Sequence, residues 1–346
     1  DDMIISFTEG PTTANAGVNQ NAVSSGGSIS ATLAANTPSV GTGLWSIVSG
    51  AGGTITDPSN PTSTFTGSAS SVYTLRWTIT SGICTSSDDM LITSGYVWTG
   101  LAGDDLWTTG GNWSTGIIPS PTTDILINYG TPKLNVDYEV GATLTLSGTG
   151  TLTINPGKTL SIASTGVVDL GGNSVTIKSD VTGTGQLGRI QGTLNGASNI
   201  TVERYIPATG RRYRMLGPSV NTTESIKANW MEGNMNTSGT NVNTVPGYGT
   251  QITGPGGNAN GFDASGTNSA SLYLTGNGVN PTYTSVGSTN GTLSALTGYF
   301  LFIRGNRAMN MNLLNTNVAP NPIPLPSSTT TLRATGSVVQ GTVSLT

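Results

Sequence analysis

The sequence predicts an all-β protein, and three observations carry that expectation. Apolar residues fall in short alternating packets, turn-forming residues fill the gaps, and no stretch sustains a 3.6-residue period over three turns. Tyr73-Thr74-Leu75-Arg76-Trp77-Thr78-Ile79 is the clearest packet, apolar at every second position, as a strand with one buried face requires. The 49 glycines, with abundant Asn, Ser and Pro, supply turn chemistry between packets. The best helical candidate is short, at 223–231. Charged residues make up only 9% of the 346, against about 25% in ordinary soluble domains. That scarcity does not imply disorder, which combines low hydrophobicity with high net charge, and here the net charge is −4.

Composition also excludes whole classes of chemistry. Histidine is absent, so there is no imidazole base, no Ser-His-Asp triad and no His-ligated metal. The single cysteine, Cys84, cannot form an intrachain disulfide or a Cys-based zinc site. Thirteen Lys and Arg residues under a net negative charge argue against a nucleic-acid partner. No 18-residue apolar run occurs, so this segment is not expected to insert in a membrane.

The elements come in order along the chain. Asp1-Asp2-Met3-Ile4-Ile5 opens it, and Asp88-Asp89-Met90-Leu91-Ile92 repeats the phrase where an alternating β region closes. Residues 1–7 therefore read as the last strand of a preceding repeat, which makes the chain a piece of a longer tandem polypeptide. Residues 8–94 have the size and strand spacing of an immunoglobulin-like sandwich. Its expected strands are 28–33, 43–48, 63–66, 72–80 and 89–93, with Trp45 and Trp77 as core aromatics. Residues 95–140 carry Trp98, Trp107 and Trp113. These could form a sugar-stacking platform, but they read better as a cap over the end of a solenoid.

Residues 141–205 are expected to form that solenoid, a parallel β-helix. Leu144/Leu146, Leu152/Ile154, Leu160/Ile162, Val168/Leu170 and Val175/Ile177 are apolar pairs starting seven or eight residues apart. Three such strands per coil gives about 24 residues per turn. Thr143/Thr145 and Thr151/Thr153 are then outward strand positions. Residues 206–346 read as a further β-rich domain, with strands near 271–274, 283–286 and 298–303 and loops at 254–258 and 320–328. The final run, Val338-Val339-Gln340-Gly341-Thr342-Val343-Ser344-Leu345, is strand-like and leaves that domain cut short.

Several phrases also carry a family resemblance. Pro11-Thr12-Thr13-Ala14-Asn15-Ala16-Gly17, Ala31-Thr32-Leu33-Ala34-Ala35-Asn36, Trp45-Ser46-Ile47-Val48-Ser49-Gly50 and Thr74-Leu75-Arg76-Trp77-Thr78-Ile79 resemble Ig/PKD-like repeats. Such repeats occur in large secreted Bacteroidota surface proteins, cargo of the type IX secretion system that includes gliding-motility adhesins. Tyr96-Val97-Trp98-Thr99-Gly100 and Gly111-Asn112-Trp113-Ser114 resemble the segment that opens solenoid modules in the same proteins. The resemblance implies an extracellular, cell-surface location and a structural or adhesive role as stalk, spacer or head. It also implies a Cys partner for Cys84 near residues 23–25; Val23-Ser24-Ser25 stands there instead, so Cys84 is expected as a buried free thiol.

Little chemistry remains. Asp169 and Asp180, with Lys158 and Lys178 nearby, are the candidate pair for a β-helix polysaccharide-degrading enzyme. Asp88-Asp89 and Asp104-Asp105 are candidate ligands for a structural Ca²⁺. Arg204, Arg211, Arg212 and Arg214 lie within 11 positions; Arg211, Arg212 and Arg214 form the candidate ligand patch, for phosphate or acidic glycan. The same arginines could instead pair internally with Glu203, Glu224 and Glu232. The expectation is a non-catalytic surface segment without a cofactor. Its partners would be neighbouring repeats, surface glycans or other cell-surface proteins. A carbohydrate-binding module and, less favoured, the polysaccharide-degrading enzyme are the alternatives.

Overall fold

A computed structural model describes residues 9–22, 24–25, 28–68, 71–237, 244–276, 280–308 and 328–341. Among these residues the fold is all-β apart from one five-residue helix and two 3₁₀ turns. The opening Asp1-Asp2-Met3-Ile4-Ile5 copy, most of the 320–328 loop and the end of the last apolar run lie outside the described residues.

Residues 9–94 build two four-stranded sheets over one core. In one sheet, Val72–Ser81 lies between Thr42–Ser49 and Cys84–Ser94, both antiparallel to it, and Gln20–Ala22 joins the far edge in parallel. The other sheet holds Ser24–Ser25, Ser28–Thr32, Thr64–Ser68 and Thr54–Ile55. Alternation delivers Tyr73, Leu75, Trp77 and Ile79 to one face, and all four are fully buried. They meet Ile29 and Phe65 of the opposite sheet in a single cluster; each such side chain contributes about 1.5–3 kcal/mol by leaving water. Trp45 packs on Trp77 at 5.2 Å between centroids, and the Tyr73 hydroxyl donates to the Ala51 carbonyl while accepting from Ser68 N–H. Gly43 is glycine because a Cβ there would occupy the Trp77 ring. Cys84 departs from expectation. It is free but exposed, because it opens its strand at the hairpin where Ser81 faces it, past the end of the core.

From Tyr96 onward the chain steps repeatedly through three parallel ladders. The first stacks Tyr96–Val97, Ile125–Ile127, Thr143–Leu146, Val167–Asp169 and Thr193–Asn195. The second stacks Lys133–Leu134, Leu152–Ile154, Val175–Ile177 and Ile200–Ile206, and the third Tyr138–Val140, Thr159–Ile162 and Gln186–Ile190. Leu144 therefore stands on Val168, 24 positions on, and Val168 on Leu194. All five expected apolar pairs are buried. Only the second ladder shows threonines in file, at Thr153, Thr176 and Thr201; Thr143 and Thr145 face Val167 and Asp169. Stacking begins well before residue 141, since 125–140 already supply one strand to each ladder. The corners explain much of the glycine content: a Cβ on Gly150 or Gly166 would strike a carbonyl of the preceding turn.

Trp98, Trp107 and Trp113 sit inside this first turn, all at 2% exposure or less. Trp98 and Trp113 form an isolated bridge, and Trp107 packs edge-on against Trp113 and tilted against Tyr138. The Trp113 indole donates to the Trp107 carbonyl at 2.8 Å. A sugar platform cannot be built from rings so placed.

The C-terminal part is joined to the ladders rather than separate from them. Thr330–Val338 pairs antiparallel along the whole of Ile200–Ile206, and Val220–Thr222 adds beyond it. One hydrophobic cluster accordingly runs from Trp98 to Ala334, across the 205/206 boundary the sequence suggested. The helix, Ile226–Trp230, is capped by Ser225, whose side chain accepts from Ala228 N–H. A second sheet, in the order Arg212–Leu216, Tyr299–Ile303, Leu272–Thr275, Tyr283–Ser285, is antiparallel throughout.

Candidate ligand-binding face and cleft

The C-terminal sheet has apolar residues on both faces. Leu272, Tyr299, Leu301 and Ile303 point inward and are buried. Register then places Tyr213 opposite Phe302, Met215 opposite Phe300, and Phe300 opposite Tyr273 on the outer face. None of these is buried, and Tyr213, Met215 and Tyr283 are 39%, 56% and 49% exposed. The Tyr213 ring stacks on Phe300 at 4.4 Å and 9°, Phe302 lies at 5.0 Å, and Tyr283 reaches Phe300 at 4.9 Å. Arg304 covers the Phe302 ring at 4.9 Å and donates to the Gln251 carbonyl and Thr253 hydroxyl. Burial pulls its pKa down to about 10, partly offset by the charges of Asp263 and Tyr213 and reinforced by that of Arg211. Tyr213 is pushed up, chiefly by desolvation.

Beside this face, a cavity of about 310 Å³ opens between Ile200–Ile206 and Arg212–Leu216, lined by Arg204, Tyr205, Ile206, Pro207, Tyr213, Arg214, Met215 and Leu216. A neighbouring cavity of about 240 Å³ shares Arg204, Met215 and Leu216 and adds Trp230, Val202 and Leu332. The Arg214 guanidinium is held by Thr209 Oγ1 at 2.6 Å, and its Nε is buried with no hydrogen-bond partner.

Two of the three arginines of the expected patch share a strand face, and both reach Thr209. Strand alternation separates Arg212 and Arg214 from Tyr213 and Met215, and Arg212 turns back to the Thr209 carbonyl. Arg211 is felt at Arg304 instead. Internal pairing with glutamates is also overturned. Glu203 is taken by Lys178 Nζ at 2.9 Å and by Ser179 N–H, and Glu232 by Arg333. Glu224 offers only its backbone carbonyl, to Thr222 and Asn229. None of Arg204, Arg211, Arg212, Arg214 and Arg304 makes an ion pair among the described residues.

Other candidate carboxylates are engaged locally. Asp169 accepts from Gly171 N–H, and Asp180 from the N–H and hydroxyl of Thr182, which lowers its pKa. Asp104 accepts from Leu106 N–H, Thr109 and Asn112, hydrogen bonds that likewise depress it. Asp88 receives Ala16 N–H, Asp89 is bidentate to Arg76, and Asp105 pairs with Lys133. Among the described residues no three acidic or thiol groups converge as a metal site. No helix there is long and apolar enough to cross a membrane. Asp263 is fully buried, accepting from Asn236 N–H, Ile252 N–H and both Arg307 Nη atoms; it is a structural lock under the sheet.

Sequence reading missed the aromatic face and the place of Arg204 in the cleft lining. A signal existed: Tyr299-Phe300-Leu301-Phe302-Ile303 is apolar at every position, and an antiparallel strand with one solvated face should alternate. No protein-family model matches the chain, and no curated protein matches it significantly.

Proposed function

We propose that this chain is a non-catalytic, structural and adhesive segment of a large secreted cell-surface protein. In this reading residues 9–94 are an immunoglobulin-like sandwich and the three ladders are turns of a parallel β-helix, together serving as spacer. The resemblance to Ig/PKD-like and solenoid modules of Bacteroidota type IX cargo points the same way, toward the cell exterior. The observation that carries the proposal is the outer face of the C-terminal sheet, where Tyr213, Phe300, Phe302, Tyr273 and Tyr283 leave an apolar surface in water. Exposed aromatic clusters of this kind mark contact surfaces. The candidate catalytic carboxylates, Asp169 and Asp180, are instead tied into turns, which supports a mechanical use of the fold. The test is retention of chain-coated beads on glycan-coated and bacterial surfaces under flow. Retention that falls sharply in Phe300→Ser supports the reading; beads that detach as readily as uncoated ones from every surface defeat it.

A further inference from the structure

The cleft beside the aromatic face has a chemistry of its own, and an inference about its ligand rests on the adhesive reading. We propose that the cleft lined by Arg204 and Arg214 binds a uronate-containing acidic polysaccharide, with a carboxylate held by the guanidiniums and a sugar ring lying against Tyr213.

Charge complementarity argues for an anionic occupant. Arg204 and Arg214 line one cavity, and neither meets a carboxylate among the described residues. Glu203 is spent on Lys178 and Glu232 on Arg333. Arg214 is fixed by Thr209, yet its Nε is buried and unused. A guanidinium already oriented by one such contact recognises a planar carboxylate through its remaining N–H groups.

Tyr213 argues for a sugar. It belongs to both the cleft and the outer face, and its ring is braced by near-parallel stacking on Phe300. A rigid, half-exposed ring with polar groups beside it suits a ligand that has apolar C–H faces and a polar rim. The cavity, about 310 Å³, is at the lower end of small-ligand sites, which run from roughly 300 to 1,000 Å³. It therefore takes about one unit of a chain, and the exposed face of Met215, Phe300 and Tyr283 is left for its neighbours. Stacking plus arginine would also suit single-stranded nucleic acid, but a groove that tracks a phosphate backbone carries a run of cations, and this cavity is lined by two.

The experiment is isothermal titration of the intact chain with polygalacturonate, with dextran as neutral control and a single-stranded oligonucleotide as the competing polyanion. Binding to polygalacturonate alone is expected, weakening as salt rises. Arg204→Gln, Arg214→Gln and Tyr213→Ser should each weaken it about tenfold or more, the scale of one charge-assisted contact. Arg189→Gln, at an exposed arginine of the third ladder, should leave it unchanged. Arg204 is exposed, so its variant stays informative even where Arg214→Gln disturbs folding, which circular dichroism would reveal. Equal affinity for dextran, tighter binding of the oligonucleotide, or indifference to Arg204→Gln each overturns the inference. If beads are still retained under flow in those cases, the adhesive reading stands and only the ligand class falls.

Discussion

Two aromatic clusters in this molecule look alike as sets of residues and differ in burial. Trp98, Trp107 and Trp113 meet edge-on at 4.8–5.0 Å and are buried. Tyr213, Phe300, Phe302 and Tyr283 lie at similar separations and remain half-exposed. The tryptophans lie inside the same core cluster as the ladder strands. The tyrosines and phenylalanines lie outside a sheet whose inner face is already filled by Tyr299, Leu301 and Ile303. Clustering therefore says little about function. What decides is which side of the strand the ring occupies, and whether the core beneath is complete without it.

The contrast breaks most visibly under truncation. Trp107→Ala should cost about 3–5 kcal/mol, the usual loss for a buried Trp, read as a lower thermal midpoint and reduced cooperativity of the unit from Tyr96 onward. Asp263→Asn should cost a similar amount, about 3–5 kcal/mol, because it leaves the buried Arg307 guanidinium short of its charge partner. A Trp107→Ala protein that melts like the parent would place the tryptophans outside the core and end the comparison. Phe300→Ser probes the other cluster. Stability should change by less than about 1 kcal/mol, as at most surface positions, while bead retention collapses. A large loss of stability with retention intact would make the outer face a packing surface instead.

How much of this could be read from the sequence depends on the range of the interaction. Period-2 packets such as 73–79 and the eight-residue spacing of the apolar pairs are local signals, and they led directly to buried strands and to a repeat near 24 residues. The Thr330–Val338 strand on Ile200–Ile206 pairs residues more than 120 positions apart, and nothing in either segment names the other. That pairing brings residues on both sides of the expected boundary at 206 into one core cluster. The arginine cluster was legible as charge; Arg212 and Arg214 share one face of their strand, and Arg211 precedes it. Arg204 belongs to the cleft only because its strand and Arg212–Leu216 flank one cavity, a fact of tertiary structure. Cys84 misled because its position near a strand's end, rather than its chemistry, sets its exposure.

The smallest effect expected concerns the ion pair that takes Glu203 out of the cleft. Burial alone would lower the Lys178 pKa, but the hydrogen bond and charge of Glu203, with Tyr248 adding, outweigh it and raise it above the ordinary 10.5. A base whose pKa is raised on folding adds stability that is fully present below the unfolded value. That stability is lost as pH climbs through the folded value, so the window lies above 10.5. The difference in thermal midpoint between the parent and Lys178→Met should therefore be constant through neutral pH and shrink in the alkaline range. Lys178 is more than a third exposed, so solvent screening keeps the whole effect modest. A difference that stays flat from about pH 8 to about pH 12, across the lysine titration range, would mean that Glu203 is held by Ser179 without help from Lys178.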